Sequence, residues 1–166
     1  MNKVKLMIRK FRSSYYKFKY RKKISNGKSI YINGKCKFST NMSLGTNIHF
    51  NGFEVKGKGR VTIGDNFHSG VDVKLLTSNH NYEGTHLPYD KTVINKEIVI
   101  SSQVWIGDNV LILGGVTIGE GAIIQAGSVV SSDIPALSIA GGNPARVFKK
   151  RDVAHYESLK SDGNFF

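Results

Sequence analysis

One cysteine, Cys36, occurs in 166 residues. A disulfide within the chain is excluded, and a zinc site built on cysteines is disfavoured. Cys36 falls on an inward repeat position and reads as a small core residue. No apolar run approaches the roughly twenty residues that span a bilayer. The opening apolar residues are interrupted by charge, unlike a secretory signal, so a cytoplasmic protein is expected. Acids are missing from residues 1–23, which hold ten Lys or Arg, whereas the remainder holds fourteen bases against twelve acids. The formal charge of +12 therefore belongs to one arm, and the rest is nearly neutral. No base-reading motif accompanies it, so no nucleic-acid partner is expected.

Within that arm Val4, Ile8, Phe11, Tyr15 and Phe18 recur at spacings of four and three. That spacing puts them on one face of a helix, with Lys3, Lys5, Arg9, Lys10, Arg12, Lys17 and Lys19 around the remainder. Such a helix either caps the end of a stacked structure or lies on an anionic membrane surface, here the inner face.

Residues 94–135, written in sixes, read INKEIV, ISSQVW, IGDNVL, ILGGVT, IGEGAI, IQAGSV, VSSDIP. Each six opens with Ile or Val, from Ile94 through Val130, and a mostly small or β-branched residue follows four places later. A period of six fits neither a helical face nor an alternating strand. Short β-branched runs separated by Gly, Asp and Asn turns predict stacked strands and corners, a parallel β-helix. Earlier sixes begin near Ile32, slip by one residue across positions 50–57, and resume behind Gly57, Ile63 and Ser69. The expected parts are a basic arm (1–23), a repeat region (32–135) interrupted by a polar loop (76–93), and a C-terminal segment (136–166). Within the last part a short helix is expected over 153–160.

The run VWIGDNVLILGGVTIGEGAIIQAGSVV, followed by GGNPARV, resembles the hexapeptide-repeat acyltransferases, and among them the sugar O-acetyltransferases. The resemblance implies an all-β, left-handed parallel β-helix assembled as a homotrimer. It also implies acetyl-coenzyme A as donor, without a metal, and a saccharide hydroxyl as acceptor. A surface polysaccharide, or its lipid-linked or nucleotide-linked precursor, is the expected setting. Handedness comes from the resemblance alone, since parallel crossovers are otherwise right-handed.

Acyl transfer to a hydroxyl needs a base, and histidine titrates near physiological pH. His80, in LLTSNH, matches the family segment that carries the catalytic histidine. His86 is the second candidate, given a role facing the acceptor. Asn51, in HFNGF, matches the family's acceptor-contacting asparagine after a small alignment shift, and a plain turn role competes with it. Asn79 and Tyr82 are further loop groups for the acceptor. For the donor, the family places a tryptophan beside the coenzyme A cleft, and Trp105 matches it. Ala126 and Ser131 align with positions lining the pantetheine side. Arg146, Lys149 and Lys150 follow the GNPAR turn and are suited to the phosphates.

The sequence departs from the family in two ways. The basic arm stands where longer sugar acetyltransferases carry an acidic acceptor-binding residue, and no carboxylate is assignable to orient His80. Glu83, Asp72 and Glu97 all remain candidates. Other readings are acetylation of a small acceptor such as serine or an antibiotic, a membrane-bound trimeric scaffold, and a metal protein resembling γ-carbonic anhydrase. The last would draw zinc ligands from His49, His68, His80 and His86.

Overall fold

The computed structural model describes residues 3–25, 27–38 and 42–166. The first two residues of the arm and residues 39–41 of the early repeats lie outside the described residues.

Short strands stack into three parallel faces of a left-handed β-helix of about six coils. Face A includes Val61–Ile63, Ile98–Ile100 and Thr117–Ile118; face B includes Thr46–Phe50, Phe67–Ser69, Trp105–Ile106 and Ile123–Ile124; face C includes Phe53–Lys56, Val73–Leu76 and Leu111–Leu113. The six-residue period follows from this geometry. Each side of the triangle buries two residues that flank an outward one, as in Ile98–Ile100, and then turns. Three sides make an eighteen-residue coil, so Val99 pairs with Thr117 and Trp105 with Ile123.

Two features of the repeat have a steric cause. Where a glycine follows the leading residue, as at Gly64, Gly107 and Gly119, the next coil passes close by. A Cβ on Gly107 would stand 2.6 Å from the Ala126 amide nitrogen. The aspartate after it accepts an amide proton from the coil before, as Asp65 does from Thr46 at 2.6 Å and Asp108 from Val71 at 2.8 Å. Corners take left-handed backbone at Asn47, Asn66, Asp72 and Asn109, residue types that tolerate it.

The coils extend beyond the expected region at both ends. Ile24–Ser25 pairs with Met42–Leu44, so stacking begins before Ile32. After Pro135 a sixth coil continues through Ser138–Gly142, against which Ala145–Lys150 pairs antiparallel. The slip is an adjusted corner. Cys36 pairs with Phe53, one residue short of a full coil, and Met42 with Val61, one residue long. Val55 is the buried leading residue there, and Gly57 turns the corner at φ +100°.

Phe38, Phe50, Phe53 and Phe67 fill the early coils, whereas Ile, Val and Ala fill the later ones. Each buried phenylalanine contributes roughly 1.5–3 kcal/mol of transfer free energy. Cys36 is buried among them, and burial pushes its thiol up to about 12, which keeps it unreactive.

Helix α1 (Lys3–Tyr20) covers the open end of the first coil. Tyr20 is buried against Phe38 and donates to the Cys36 carbonyl at 3.1 Å; Tyr16 packs beside it, and Ser13 accepts from the Ile32 amide. The apolar stripe from Val4 to Phe18 does not make this contact and stays exposed. A strict four-three spacing marks a face but does not say which surface it meets; two tyrosines and a serine on the opposite face dock instead. Helix α2 (Val153–Ser161), capped by the Asp152 carboxylate at the His155 amide, packs on the solenoid through Tyr156. Tyr156 donates to Glu120, which also pairs with Lys160.

Candidate functional site

The expected loop is a β-hairpin. Ser78–His80 pairs antiparallel with Val93–Asn95, so Ile94, read as the first leading residue, is 36% exposed on the hairpin. The solenoid resumes at Ile98. Because the hairpin joins a face C strand to a face A strand, it leaves from the corner between those faces.

His80 is exposed near the root of the hairpin, its ring stacked on Tyr89 with centroids 4.0 Å apart. Stacking fixes the plane of the imidazole and leaves its nitrogens at the ring edge. Asn79 points to the opposite face of the hairpin, because consecutive strand residues alternate. Tyr82 is exposed at the tip, and His86 Nδ1 is bonded to the Thr85 hydroxyl at 2.9 Å. Tyr89, which makes the stacking contact, carried no periodic signal in the sequence. Asp90 braces the tip by accepting from the Thr85 and Thr92 amides and the Thr92 hydroxyl, bonds that lower its carboxyl pKa.

None of the three carboxylates considered for orienting His80 bonds to it among the described residues. Glu97 bonds Thr62 and lies 3.9 Å from Arg60; Asp72 turns a corner at φ 54°; Glu83 sits on the hairpin tip.

Trp105 lies outward on face B, 56% exposed, between His68 in the preceding coil and Ile123 in the next. Beside it a groove of about 390 Å³ is lined by Trp105, Asp108, Gln125, Ala126, Ile139 and Phe148. Arg146, Lys149 and Lys150 are exposed on the strand that also carries Phe148, alongside Ser138–Gly142 of face B. Arg146 Nη1 donates to the Ala145 carbonyl at 3.0 Å. Phe148 was missed in the sequence because it lies past the repeats, in an irregular antiparallel pairing where no six-residue register applies. Ser131 is exposed just past the end of face C strand Val129–Val130, at the same corner from which the hairpin leaves two coils earlier.

Asn51 sits in a ladder that ties three coils. Asn33 Nδ2 donates to its side-chain oxygen at 3.1 Å, and Asn51 Nδ2 donates to the Ser69 carbonyl at 2.7 Å. Both ends of the Asn51 amide are thus engaged between coils. His49 and His68 stack on one another at 4.2 Å, while His80 and His86 are on the hairpin. No group of three metal-ligating side chains is assembled among the described residues.

The arrangement is two half-sites. One, at the corner between faces C and A, presents His80. The other, on face B, offers an apolar groove beside a basic strand. In a triangular cross-section a corner lies opposite the remaining face, so the halves face away from each other within one chain.

A solenoid of this repeat defines a class, and the sequence agrees. The bacterial transferase hexapeptide pattern (six repeats) matches residues 97–132. Over those residues the chain carries hexapeptide repeats, and the proteins it resembles include sugar O-acetyltransferases. It is 44% identical over 106 residues to the polysialic acid O-acetyltransferase of Escherichia coli O1:K1 / APEC, covering 61% of this chain and 34% of that protein. It is 34% identical over 123 residues to the galactoside O-acetyltransferase of Escherichia coli K12, covering 72% and 60%. It thus spans about a third of the first relative and three fifths of the second. Among solved structures, a hexapeptide-repeat acetyltransferase from Vibrio cholerae O1 biovar eltor, complexed with acetyl-coenzyme A, superposes with a TM-score of 0.68 at 26% identity. That match covers 90% of this chain and 84% of the other.

Proposed function

We propose that this chain transfers an acetyl group from acetyl-coenzyme A to a saccharide hydroxyl, as a homotrimer whose sites form between neighbours. The separation of the half-sites carries the reading. A base on one corner and a donor groove on the opposite face serve one reaction only when a second copy brings them together. The names of the relatives support a sugar acceptor, and polysialic acid and galactosides are the first acceptors to try. A surface polysaccharide, or its lipid-linked or nucleotide-linked precursor, is the setting we favour.

The residues fit the donor. Trp105, Ala126 and Phe148 offer an apolar wall to the pantetheine arm, and Arg146, Lys149 and Lys150 offer charge-assisted bonds to phosphates. Acetyl-coenzyme A supplies an activated acetyl thioester. His80, held by Tyr89, accepts the proton of the sugar hydroxyl as its oxygen bonds to the acetyl carbon. The departing sulfur takes that proton back, leaving the imidazole neutral for the next cycle. Asn79, Tyr82 and His86 lie along the hairpin as acceptor contacts, Asn79 from its far face. Ser131, matched to the pantetheine side of the donor, stands at the corner that also bears the hairpin.

Mass spectrometry of oligosaccharides incubated with the protein and acetyl-coenzyme A tests the reading. One acetyl per modified sugar, formed only with donor present, is the expected product. Absence of product together with absence of coenzyme A binding by calorimetry would reject it.

A further inference from the structure

Helix α1 is docked by one face, and its other face exposes a row of large apolar side chains. Ser13, Tyr16 and Tyr20 hold it to the first coil. At 100° per residue, Phe11 and Phe18 project nearly opposite to those three. They are 78% and 70% exposed, and Val4, Ile8 and Tyr15 extend the same stripe. Such a row of large apolar side chains in water marks an interaction surface.

The charges flank this stripe. Lys10 and Lys17 run along one side, seven residues apart, and Arg12 and Lys19 along the other at the same spacing. All four are exposed, although Arg12 also donates to the Asn33 carbonyl, Lys17 stands over the Tyr31 ring and Lys19 over those of Tyr15 and Tyr20. The helix contains no acid. An apolar stripe bordered by cations fits a planar surface that is apolar below and anionic above, the chemistry of a bilayer with acidic headgroups. A second copy of α1 fits poorly, because apposed stripes would bring like-charged borders together without an acid to pair them. The solenoid core is already covered by the opposite face.

We propose that α1 is an interfacial anchor, lying in the headgroup region of an anionic membrane with Phe11 and Phe18 inserted and the lysine rows on acidic lipids. The inference concerns the arm alone and does not depend on the acyl-transfer reading.

Co-sedimentation of the full chain with vesicles of phosphatidylglycerol and phosphatidylcholine, against phosphatidylcholine alone, tests it. Binding should require the anionic lipid and weaken as salt rises. Phe11→Ser with Phe18→Ser should reduce binding at least about tenfold, with the circular dichroism spectrum unchanged because both side chains lie outside the core. Lys10→Gln with Lys19→Gln should also weaken binding and flatten its salt dependence. No sedimentation at low salt would overturn the proposal. So would full binding by the phenylalanine double variant, which would reduce the effect to charge alone. A wild-type particle that doubles in mass without lipid, and reverts in that variant, would make a second copy the occupant and overturn it too.

Discussion

His49 and His68 stack between Tyr31 and the Phe166 ring on face B. Burial first, then the neighbouring His68 and Arg9, hold His49 down to about 4. Burial also lowers His68, against a weaker opposing bond to the Phe166 carbonyl. The folded chain therefore binds fewer protons than the unfolded one between the ordinary histidine range and that depressed value. Stability from this stack is full above about pH 6.5 and is lost as pH falls towards 4. The melting temperature should decline by several degrees across that window, and His49→Phe, which keeps a stacked ring without its proton, should flatten the decline. An unchanged slope would show that other groups govern the acid response. On the hairpin, His80→Ala should leave folding and coenzyme A binding intact and cut turnover by on the order of a hundredfold or more. His86→Ala should cost much less, chiefly in the acceptor KM. The reverse ranking in steady-state assays would move the base to His86.

The strand Ala145–Lys150 carries most of the donor chemistry proposed. Arg146→Ala with Lys149→Ala should raise the KM for acetyl-coenzyme A more than it lowers kcat, the mark of lost ground-state binding. An unchanged KM would make this an ordinary solvated edge. The elements differed in how readable they were. From Ile98 to Val130 the coils were legible residue by residue, because an inward pair and a corner recur every six positions. Before Val61 two compensating corner lengths blurred the register, and Gly57 displaced Val55 as the apparent leading residue. The hairpin was visible only as an interruption, since antiparallel pairing outside the solenoid leaves no six-residue trace. The histidine candidate was named from its place at that interruption, but Tyr89 and Phe148 were not. Both act through packing on a neighbour distant or out of register in sequence. In α1 the periodicity identified a face correctly and left its partner open, because amphipathicity records which side is apolar and not what lies beside it.

At the scale of the assembly, the opposed half-sites make a test that no single variant offers. Chains carrying His80→Ala and chains carrying Trp105→Ala should each be inactive. Co-expressed in equal amounts, they should recover about a quarter of the sites, those pairing an intact hairpin with an intact neighbouring face. No recovery would mean that each chain builds its site alone, and light scattering should report about three chains per particle. The parallel stacking described above also sets a vertical scale. Outward residues on face B run Tyr31, His49, His68, Trp105 in register, one per coil. Strands stack about 4.8 Å apart, so Trp105 stands roughly 14 Å above the coil that α1 covers. With the helix on a bilayer, the solenoid acts as a ruler. It holds the donor groove at a fixed height over the headgroups, and the coils between α1 and Trp105 set that height. Sugars attached to a lipid by a spacer of matching length would then be modified at one position along the chain, and deleting one whole eighteen-residue coil would shift that position towards the membrane.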